Sequence, residues 1–257
     1  MSPNVDLTSD RPVFRQIADL LRHDIDTGAL GEGARLPSER DLMDTYGAAR
    51  GTVRQAVALL KAEGLVQTEH GRGGFVRSRP PVRRIAHDRF ARPHRDAGKA
   101  AYLAEAEAEG ISPGVEVIKV GPELPPVAVA ARLGVPTDEK VLVRRRRYLA
   151  DGDPVELASS YLPMALVKGT PITHKNPGPG GIYARLEDSG HRLVRFTEEV
   201  TARMPTPDEV RSLRLAAGTP VFGLVRTAYD EDGVAVEVCD TVMASNRFVL
   251  SYELPAK

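Results

Sequence analysis

Two arginines stand four residues apart at the start of a predicted helix, Arg50 and Arg54, with Thr52 between them. Residues at this spacing lie on one face of an α-helix. A guanidinium can donate two parallel hydrogen bonds to guanine in the major groove of DNA, which is wide enough to admit a helix. The pattern therefore predicts a helix end that reads DNA bases. An ordinary solvated helix face is the alternative for any one of these arginines taken alone.

Two earlier helices are predicted from apolar spacing and capping signals. The apolar stripe of the first helix, which ends near Gly28, consists of Val13, Ile17, Leu20, Leu21 and Ile25. The second helix begins at Ser38, because Asp41 three residues later completes a capping box, and it ends at Gly47. Arg40 lies in its first turn. A third guanidinium is therefore expected near Arg50 and Arg54.

The helix that carries Arg50 and Arg54 follows Gly47 after a very short turn. Its buried face, opposite the arginines, is predicted to consist of Val53, Ala56, Val57 and Leu60. Two helices joined by a short turn that contains glycine are typical of a helix-turn-helix. Strands are then predicted over residues 65–69 and 74–77. The hairpin that they form would be a wing.

The turn of this hairpin places His70 and Arg72 on either side of Gly71. Such a turn can lay backbone N–H groups and a cation against the DNA backbone or the minor groove. A tight hairpin without a ligand is the alternative, because a glycine-rich turn is by itself a weak sign of phosphate binding. The predicted DNA-contacting residues are Arg40, Arg50, Thr52, Arg54, His70, Gly71 and Arg72.

Charge is distributed unevenly along the chain. The 257 residues contain 35 Lys and Arg against 35 Asp and Glu, yet the stretch from Arg50 to Lys99 holds twelve Lys and Arg against four acids. We expect this basic stretch to meet an anion such as DNA while the rest of the chain offsets its charge. The single Cys239 excludes an internal disulfide, and neither it nor the histidines show metal-ligand spacing. No metal and no cofactor are expected.

A domain boundary is predicted at Ser78-Arg79-Pro80-Pro81. The apolar periodicities typical of a helix and of a strand both stop there, and proline excludes a helix interior or a central strand. The predicted organisation is a flexible N-terminus over residues 1–10, a DNA-binding domain over 11–77, a linker over 78–84 and a second domain over 85–257. Strands of the second domain are predicted over residues 115–120, 140–149, 154–161, 195–203, 220–229, 234–243 and 247–254. Helices are predicted over residues 100–109, 181–188 and 207–213. This half is therefore expected to be α+β with an antiparallel sheet.

The second domain contains an internal repeat. A gapless shift of 81 residues aligns Arg145, Tyr148, Asp151, Gly152, Val155 and Glu156 with Arg226, Tyr229, Asp232, Gly233, Val236 and Glu237. Each copy is predicted to be a strand, an Asp-Gly turn and a return strand. Two copies are too few for a solenoid, so two related hairpins within one sheet are expected.

The N-terminal part of the chain resembles the winged helix-turn-helix of GntR-type bacterial transcription regulators. The motifs that carry the resemblance are Phe14-Arg15-Gln16-Ile17-Ala18, Leu36-Pro37-Ser38-Glu39-Arg40-Asp41-Leu42, Arg50-Gly51-Thr52-Val53-Arg54-Gln55-Ala56 and Gly71-Arg72-Gly73-Gly74-Phe75-Val76. The DNA contacts that it implies are Arg40, Arg50, Arg54 and Gly71, with Thr52 on a phosphate. This chain departs from the family at Ala49, where Ser or Thr is common, so a helix cap is expected to be missing.

The second domain resembles the UTRA effector domain of the HutC-like branch of this family, whose fold is similar to that of chorismate lyase. The matching segments are residues 150–155, 160–163, 181–183, 198–200 and 232–247. Residues 197–205 and 234–254 also look similar to repressors of actinomycete plasmid-transfer operons. The Asp/His metal set of the helix-rich effector domains is absent from the sequence, and the chain is too short for the aminotransferase-fused type.

Arginines of one predicted strand are the main candidates for binding an effector. Arg144, Arg146 and Tyr148 share one face because side chains of a strand alternate. In sugar-phosphate-sensing relatives, an Arg-x-Arg that maps to Arg146 and Tyr148 binds the phosphate, and an acid maps to Ala158. Two of these positions differ here, so another anionic metabolite is an equal alternative. If these residues bind no ligand, the alternatives are a solvated strand of arginines, a charge cluster at a dimer interface, or structural residues that flank the turns. The expected effector-binding residues are Arg144, Arg146, Tyr148, Ser160, Tyr183 and Glu237.

These patterns predict a homodimeric transcriptional repressor of the bacterial cytoplasm. It would bind double-stranded, palindromic operator DNA and leave it when a small, anionic effector binds the second domain. An enzyme of lyase-like fold with an appended DNA-binding domain is the alternative. A shared fold does not confer a reaction, and no catalytic triad or carboxylate pair can be assigned, so no enzyme activity is expected. No apolar run approaches the roughly 20 residues of a membrane span, and no membrane association is expected.

Overall fold

The chain divides into two compact units in the computed structural model, which describes residues 5–6, 8–69, 72–77, 82–85, 101–215 and 218–253. The first unit comprises Met1–Arg79 together with Leu215–Thr219. The second unit comprises Pro80–Arg214 and Pro220–Lys257. The two are called the N-terminal and the C-terminal unit below.

The N-terminal unit contains three helices followed by a two-stranded hairpin. The helices are α1 (Val13–Asp26), α2 (Glu39–Tyr46) and α3 (Arg50–Ala62). The strands are β1 (Val66–Glu69) and β2 (Gly73–Val76), which pair antiparallel. Helix-turn-helix and hairpin therefore lie where their sequence signals predict them, with boundaries that differ by a residue or two.

The α2–α3 turn follows from local chemistry. Ser38 accepts a hydrogen bond from the backbone N–H of Asp41, while the Asp41 carboxylate accepts one from the backbone N–H of Ser38. This reciprocal pair satisfies donors that the first turn of a helix leaves open. Gly47 ends α2 with φ +60°, in the left-handed region that favours glycine. Both ends of α2 are thus specified by residues within the helix and its caps.

One apolar core holds the N-terminal unit together. Its buried residues are Ile17, Ala18, Leu21, Leu36, Leu42, Val53, Ala56, Leu60, Val66 and Val76. Tyr46, at the end of α2, is half-buried and packs against this core. The segment before α2 also joins the hairpin, because Leu36 donates a backbone hydrogen bond to Gly74, and Val76 donates one to Ala34. The sequence analysis did not predict this third, strand-like segment.

The C-terminal unit is built on one six-stranded antiparallel sheet. The strands of the whole unit are β3 (Val82–Ile85), β4 (Pro113–Glu123), β5 (Val141–Ala150), β6 (Asp153–Pro163), β7 (Leu193–Arg203), β8 (Val221–Asp230), β9 (Ala235–Ala244) and β10 (Phe248–Ser251). Of these, β3 and β10 form a separate two-stranded sheet. The α-helices of the unit among the described residues are α4 (Ala101–Ala108), α5 (Val127–Leu133), α6 (Met164–Val167), α7 (Gly181–Asp188) and α8 (Pro207–Leu213). The strand order in the large sheet is β4-β5-β6-β9-β8-β7. Helices α5 and α6 have no counterpart in the sequence prediction.

The sheet consists of two copies of one strand-helix-strand-strand unit. The second copy begins each of β7, α8 and β8 80 residues after β4, α5 and β5. The inner strands β6 and β9 pair with each other and join the two halves. This arrangement confirms the expectation of two related hairpins in one sheet, and it extends the repeat to the outer strand and the helix of each half.

The two hairpins differ in register by one residue. Tyr148 pairs with Glu156 in the first hairpin, whereas Ala228 pairs with Glu237 in the second. The second hairpin therefore has one more residue between its paired positions. In consequence Tyr148 packs against Tyr102 on one face of the sheet, while Tyr229 lies on the other face. The aligned tyrosines are identical in sequence but occupy opposite sides, because a shift of one residue reverses every side chain of a strand.

The predicted linker is wrong for residues 82–84. They belong to β3, which pairs in parallel with β10 from Phe248↔Val82 to Ser251↔Ile85. Val82 and Arg84 are buried. The sequence pattern did not reveal this strand because it has only four residues and its partner lies more than 160 residues away along the chain. Residues 78–81 of the predicted linker lie outside the described part of the chain.

Apolar clusters cover both faces of the large sheet. On one face, α5 packs against β9 and α8 against β6. The opposite face carries two separate apolar clusters. The first contains Tyr102, Ala158, Leu224, Cys239 and Met243. The second contains Leu162, Ile172, Ile182, Leu186 and Ala228. Charged side chains lie between these two clusters, on the same face.

Candidate DNA interface and ligand site

The predicted recognition arginines lie exposed at the start of α3. The side chains of Arg50 and Arg54 are 71% and 69% exposed. The apolar face of α3, formed by Val53, Ala56 and Leu60, is buried. The helix therefore presents its guanidinium groups to solvent while its other side is fixed to the core, which is the orientation that base contacts require.

Glu39 contacts both of these arginines. Its Oε2 accepts a hydrogen bond from Nε of Arg50 at 2.8 Å, and its Oε1 lies 3.2 Å from Nε of Arg54. Both contacts use the inner Nε–H rather than a terminal nitrogen of the guanidinium. Exposed ion pairs contribute little to stability. The two contacts restrain the orientation of both arginines, and they were not predicted from the sequence because they join two helices.

Arg40 and Thr52 occupy neighbouring positions in the same unit. Arg40 is exposed in the first turn of α2, and Thr52 is half-buried in the first turn of α3. Arg72 is exposed in the turn immediately before β2, with its guanidinium carbon 5.5 Å from the ring centroid of Phe75. His70 and Gly71, the other predicted wing contacts, lie outside the described residues. The DNA-contacting residues as a group stay a prediction.

Helix α3 begins without a side-chain cap. Ala49 has the extended backbone typical of an N-cap, with φ −65° and ψ 150°, but no side-chain hydrogen bond closes the first turn. We expect Ala49→Ser to raise the free energy of unfolding of the N-terminal unit by about 1 kcal/mol. Thermal unfolding of the variant checks this. Ala49→Val, whose side chain has no oxygen, should give no such gain, and equal stabilities of the Ser and Ala proteins would contradict the prediction.

A set of buried and partly buried polar side chains, here called the polar cluster, lies between the two apolar clusters of the C-terminal unit. Its members are Arg84, Arg146, Ser160, Tyr183, Glu198, Arg226, Glu237 and Cys239. They come from β3, β5, β6, α7, β7, β8 and β9. Seven elements therefore meet at this point, and four of the six predicted effector residues are among its members.

Tyr183, Glu237 and Arg226 form the centre of the polar cluster. The Tyr183 hydroxyl donates to Glu237 Oε2, and Arg226 Nε donates to the Tyr183 hydroxyl oxygen at 2.9 Å. Arg226 Nη2 also lies 3.7 Å from Glu237 Oε2. Burial raises the pKa of Tyr183 well above its ordinary value, so the phenol keeps its proton. Burial opposes the charge of Arg226, but its neighbours raise its pKa overall, and the guanidinium stays charged.

Arg146 and Ser160 form the second part of the polar cluster. Arg146 donates to the Ser160 hydroxyl, which in turn lies 3.7 Å from the sulfur of Cys239. Two buried polar atoms here have no hydrogen-bond partner among the described residues, Nε of Arg146 and Oε1 of Glu237. An unsatisfied buried donor and acceptor are costly. A ligand that offers one acceptor and one donor would satisfy both.

Arg144 has a different environment from Arg146. It is 2% exposed, and its guanidinium donates to the backbone carbonyl oxygens of Ile172, His174 and Lys175. Burial, and then the charge of Arg146, lower the pKa of Arg144 to about 10, so it is charged at neutral pH. The hydrogen bonds that Arg144 donates fix residues 172–175, the segment that leads to α7. The terminal nitrogens of Arg144 are thus engaged with the backbone, and its role as an effector contact stays a prediction.

Tyr148 lies at the apolar edge of the polar cluster. Its ring centroid is 4.8 Å from that of Tyr102, and the guanidinium carbon of Arg146 is 5.8 Å from the centroid of its ring. The other arginines of β5 point to the opposite face, where Arg145 pairs with Glu123 and Arg147 with Glu116. Hydrogen bonds from Arg145, and then from Lys119, lower the pKa of Glu123 to about 2. Alternate arginines of one strand thus serve different purposes.

Comparison with known proteins identifies the family from both units. The model described as bacterial regulatory proteins, gntR family, matches residues 14–76, and the model described as UTRA domain matches residues 108–249. The chain belongs to the GntR family. Its α+β fold, with an N-terminal winged helix-turn-helix and an antiparallel UTRA sheet, is confirmed. It is a DNA-binding transcription regulator.

Relatives extend over nearly the whole chain of this GntR regulator. It is 35% identical to an HTH-type transcriptional regulator of Streptomyces coelicolor over 94% of this chain and 92% of the relative. It is 28% identical to the HTH-type transcriptional repressor NagR of Bacillus subtilis over 95% of this chain and 96% of that protein. The crystal structure of PhnF from Mycobacterium smegmatis matches with a TM-score of 0.59 at 27% identity, covering 94% of this chain and 100% of PhnF.

Four residues of the polar cluster were not predicted as site residues, and one of them, Cys239, was considered only for a disulfide or a metal site. Arg226 was noticed only as part of the internal repeat, Glu198 only as part of a UTRA-like segment, and Arg84 was assigned to the linker. The signal that could have identified Arg226 is its equivalence to Arg146, which follows once the one-residue difference in register is taken into account. The gapless alignment concealed that equivalence.

Within the described ranges, His, Cys, Asp and Glu side chains form no group of three or more that could hold a metal ion. Within the same ranges, helices long and apolar enough to cross a membrane are absent.

Proposed function

We propose that this GntR-family regulator is a transcriptional repressor of the bacterial cytoplasm. It binds a palindromic operator as a homodimer, and a small molecule in the C-terminal unit releases it. The observation that carries the DNA-binding part is the exposed arginine pair of α3, oriented by Glu39. The repressor assignment is supported by the similarity to NagR, which is named as a repressor.

The proposed DNA contacts fall into two groups. Arg40, Arg50 and Arg54 read base edges, because their guanidinium groups are exposed on α2 and α3 beside each other. Thr52 and the wing residues, including Arg72, contact phosphates or the minor groove. One recognition helix covers few base pairs, so two copies related by a two-fold axis are needed for operator selectivity.

The proposed effector site is the polar cluster. Arg146 has an unused buried Nε–H, and Glu237 has an unused buried oxygen. An anionic group such as a carboxylate or a phosphate suits Arg146 and Ser160, since charge-assisted hydrogen bonds are the strong ones. A hydroxyl or amino group of the same molecule suits Glu237. The proposed effector is therefore an anionic metabolite that also carries a hydrogen-bond donor, with Tyr148 and Tyr183 beside it.

The test begins with a DNA duplex that the wild-type protein selects from a randomised pool. A selected sequence with two-fold symmetry, bound by a dimer in light scattering, supports the proposal. Sugar phosphates and hydroxy or amino acids are then screened for compounds that raise the thermal midpoint and weaken binding to that duplex. A monomer on DNA contradicts the dimer. Compounds that stabilise the Arg146→Met protein as strongly as the wild type contradict the proposed site.

An enzyme with an appended DNA-binding domain is the second candidate. The polar cluster opposes it, because its tyrosine and one of its glutamates are engaged with Arg226 rather than free to transfer protons. Incubating the full chain with any compound that binds, and measuring product against time, distinguishes the two. Turnover would favour the enzyme, and a compound recovered unchanged favours the regulator.

A further inference from the structure

A chain of buried ion pairs connects the proposed effector site to β3. Glu237, which is 1% exposed, lies near Arg226, and Arg226 lies directly across from Glu198 on the neighbouring strand. Glu198 in turn accepts hydrogen bonds from both terminal nitrogens of Arg84, one of them at 3.0 Å. Arg84 is 2% exposed. The series Glu237–Arg226–Glu198–Arg84 therefore crosses the sheet face, and its most exposed side chain, Glu198, is only 12% exposed.

Two arginines compete for one oxygen in this series. Oε1 of Glu198 accepts from Arg84 Nη2, and the same oxygen lies 3.9 Å from Arg226 Nη1. Arg226 is held back from Glu198 by its other contacts, Tyr183 and Glu237. If a ligand binds Glu237 and draws its carboxylate away, Arg226 loses its contact with Glu237 and moves towards Glu198. The contact between Glu198 and Arg84 then weakens, because one carboxylate oxygen is shared by two cations.

Arg84 is well placed to transmit such a change along the chain. It belongs to β3, a strand of four residues whose parallel partner β10 is equally short. Short pairings open readily, so a buried ion pair is a large part of what holds this strand. Only two residues separate Val82, the first residue of β3, from Arg79, which ends the first segment of the N-terminal unit. A change at β3 therefore acts on the segment that enters the DNA-binding unit.

We propose that the Glu237–Arg226–Glu198–Arg84 series is the route by which effector binding is communicated to the interdomain segment. Arg84 and Glu198 act as positioning residues that need not touch the effector. This inference rests on the proposed effector site. The test of the route requires neither an effector nor DNA. A negative result would therefore contradict the route but not the proposed effector site, and a failure to find an effector would not contradict the route.

The test is amide hydrogen exchange of the full chain, read at residues 82–85. Glu237→Gln removes the charge that restrains Arg226 and imitates withdrawal of Glu237 by a ligand. We expect exchange at β3 to become about three- to tenfold faster, while β5 and β6 change less. The matched control is Glu199→Gln, next to Glu198 but 60% exposed and paired with Arg132. It should leave β3 unchanged.

A second variant tests the order of the series. Arg84→Met removes the last contact and should itself accelerate exchange at β3, after which adding Glu237→Gln should have no further effect there. Arg84→Lys keeps the charge but not the paired contact, and it replaces Arg84→Met if that protein does not fold. Three results would overturn the proposal. These are β3 exchange in Glu237→Gln that equals or is slower than wild type, equal acceleration throughout the C-terminal unit, and an undiminished effect of Glu237→Gln when Arg84 is changed.

Discussion

Arg50→Ala is expected to weaken binding to the selected operator duplex about 10- to 100-fold, because a bidentate contact from arginine to guanine carries roughly 1–3 kcal/mol of discrimination. Arg50 is 71% exposed and contacts Glu39 through Nε, which leaves its two terminal nitrogens for a base. Binding to a scrambled duplex should fall much less. The two affinities are measured by titration at one fixed salt concentration, since phosphate contacts depend strongly on salt.

Arg211→Ala is the matched control for this prediction. It removes the same side chain and the same charge from an arginine that is 69% exposed, but in the C-terminal unit. Its effect on both duplexes should be less than about twofold, because it is expected to touch neither base nor phosphate. Equal losses on the selected and the scrambled duplex in Arg50→Ala would mean that Arg50 contacts phosphate only.

Arg144→Met is expected to have the largest effect on stability. It leaves the carbonyl oxygens of Ile172, His174 and Lys175 without their donor. Each unsatisfied buried acceptor costs roughly 1–3 kcal/mol, and some of these oxygens can reach water, so we expect a loss of about 3–5 kcal/mol. In a unit of this size that loss lowers the thermal midpoint by roughly 10 °C. Thermal unfolding followed by circular dichroism measures it.

Arg147→Met provides the comparison for Arg144→Met. Arg147 lies on the same strand but on the other face, and it pairs with the half-exposed Glu116. An ion pair near the surface contributes only about 0–1 kcal/mol, so this variant should remain close to wild type. If both variants lose the same stability, the carbonyl contacts of Arg144 are not what stabilises the unit.

Local sequence signals were sufficient for most elements of the N-terminal unit. Ser38 and Asp41 satisfy each other across one helical turn, and Gly47 supplies the left-handed residue that ends α2. These interactions span three or four residues, so the sequence contains both partners in one window. The contact of Glu39 with Arg50 and Arg54 was not predictable in the same way. It depends on the angle between two helices, which the buried core sets.

The positions of most strands in the C-terminal unit were also predictable, but β3, the strand neighbours and the strand faces were not. The alternation of apolar residues located β5, β6, β8 and β9 within a few residues. The repeat correctly indicated two related hairpins, yet a single additional residue in the second one places Tyr229 on the face opposite to Tyr148. Pairing register depends on turn length and on neighbouring strands, so an ungapped comparison of sequences does not contain it.

The sequence by itself determined which residue types are available and where the helix-turn-helix lies, because capping and helical periodicity act over a few residues. It also placed Arg144 and Arg146 on one face of a strand. Only the tertiary structure distinguished them. Backbone carbonyls about 30 residues further along the chain accept from the terminal nitrogens of Arg144, whereas a terminal nitrogen of Arg146 donates to Ser160 within the polar cluster. Whether an arginine is structural or free to bind a ligand depends on which distant groups the fold brings to it.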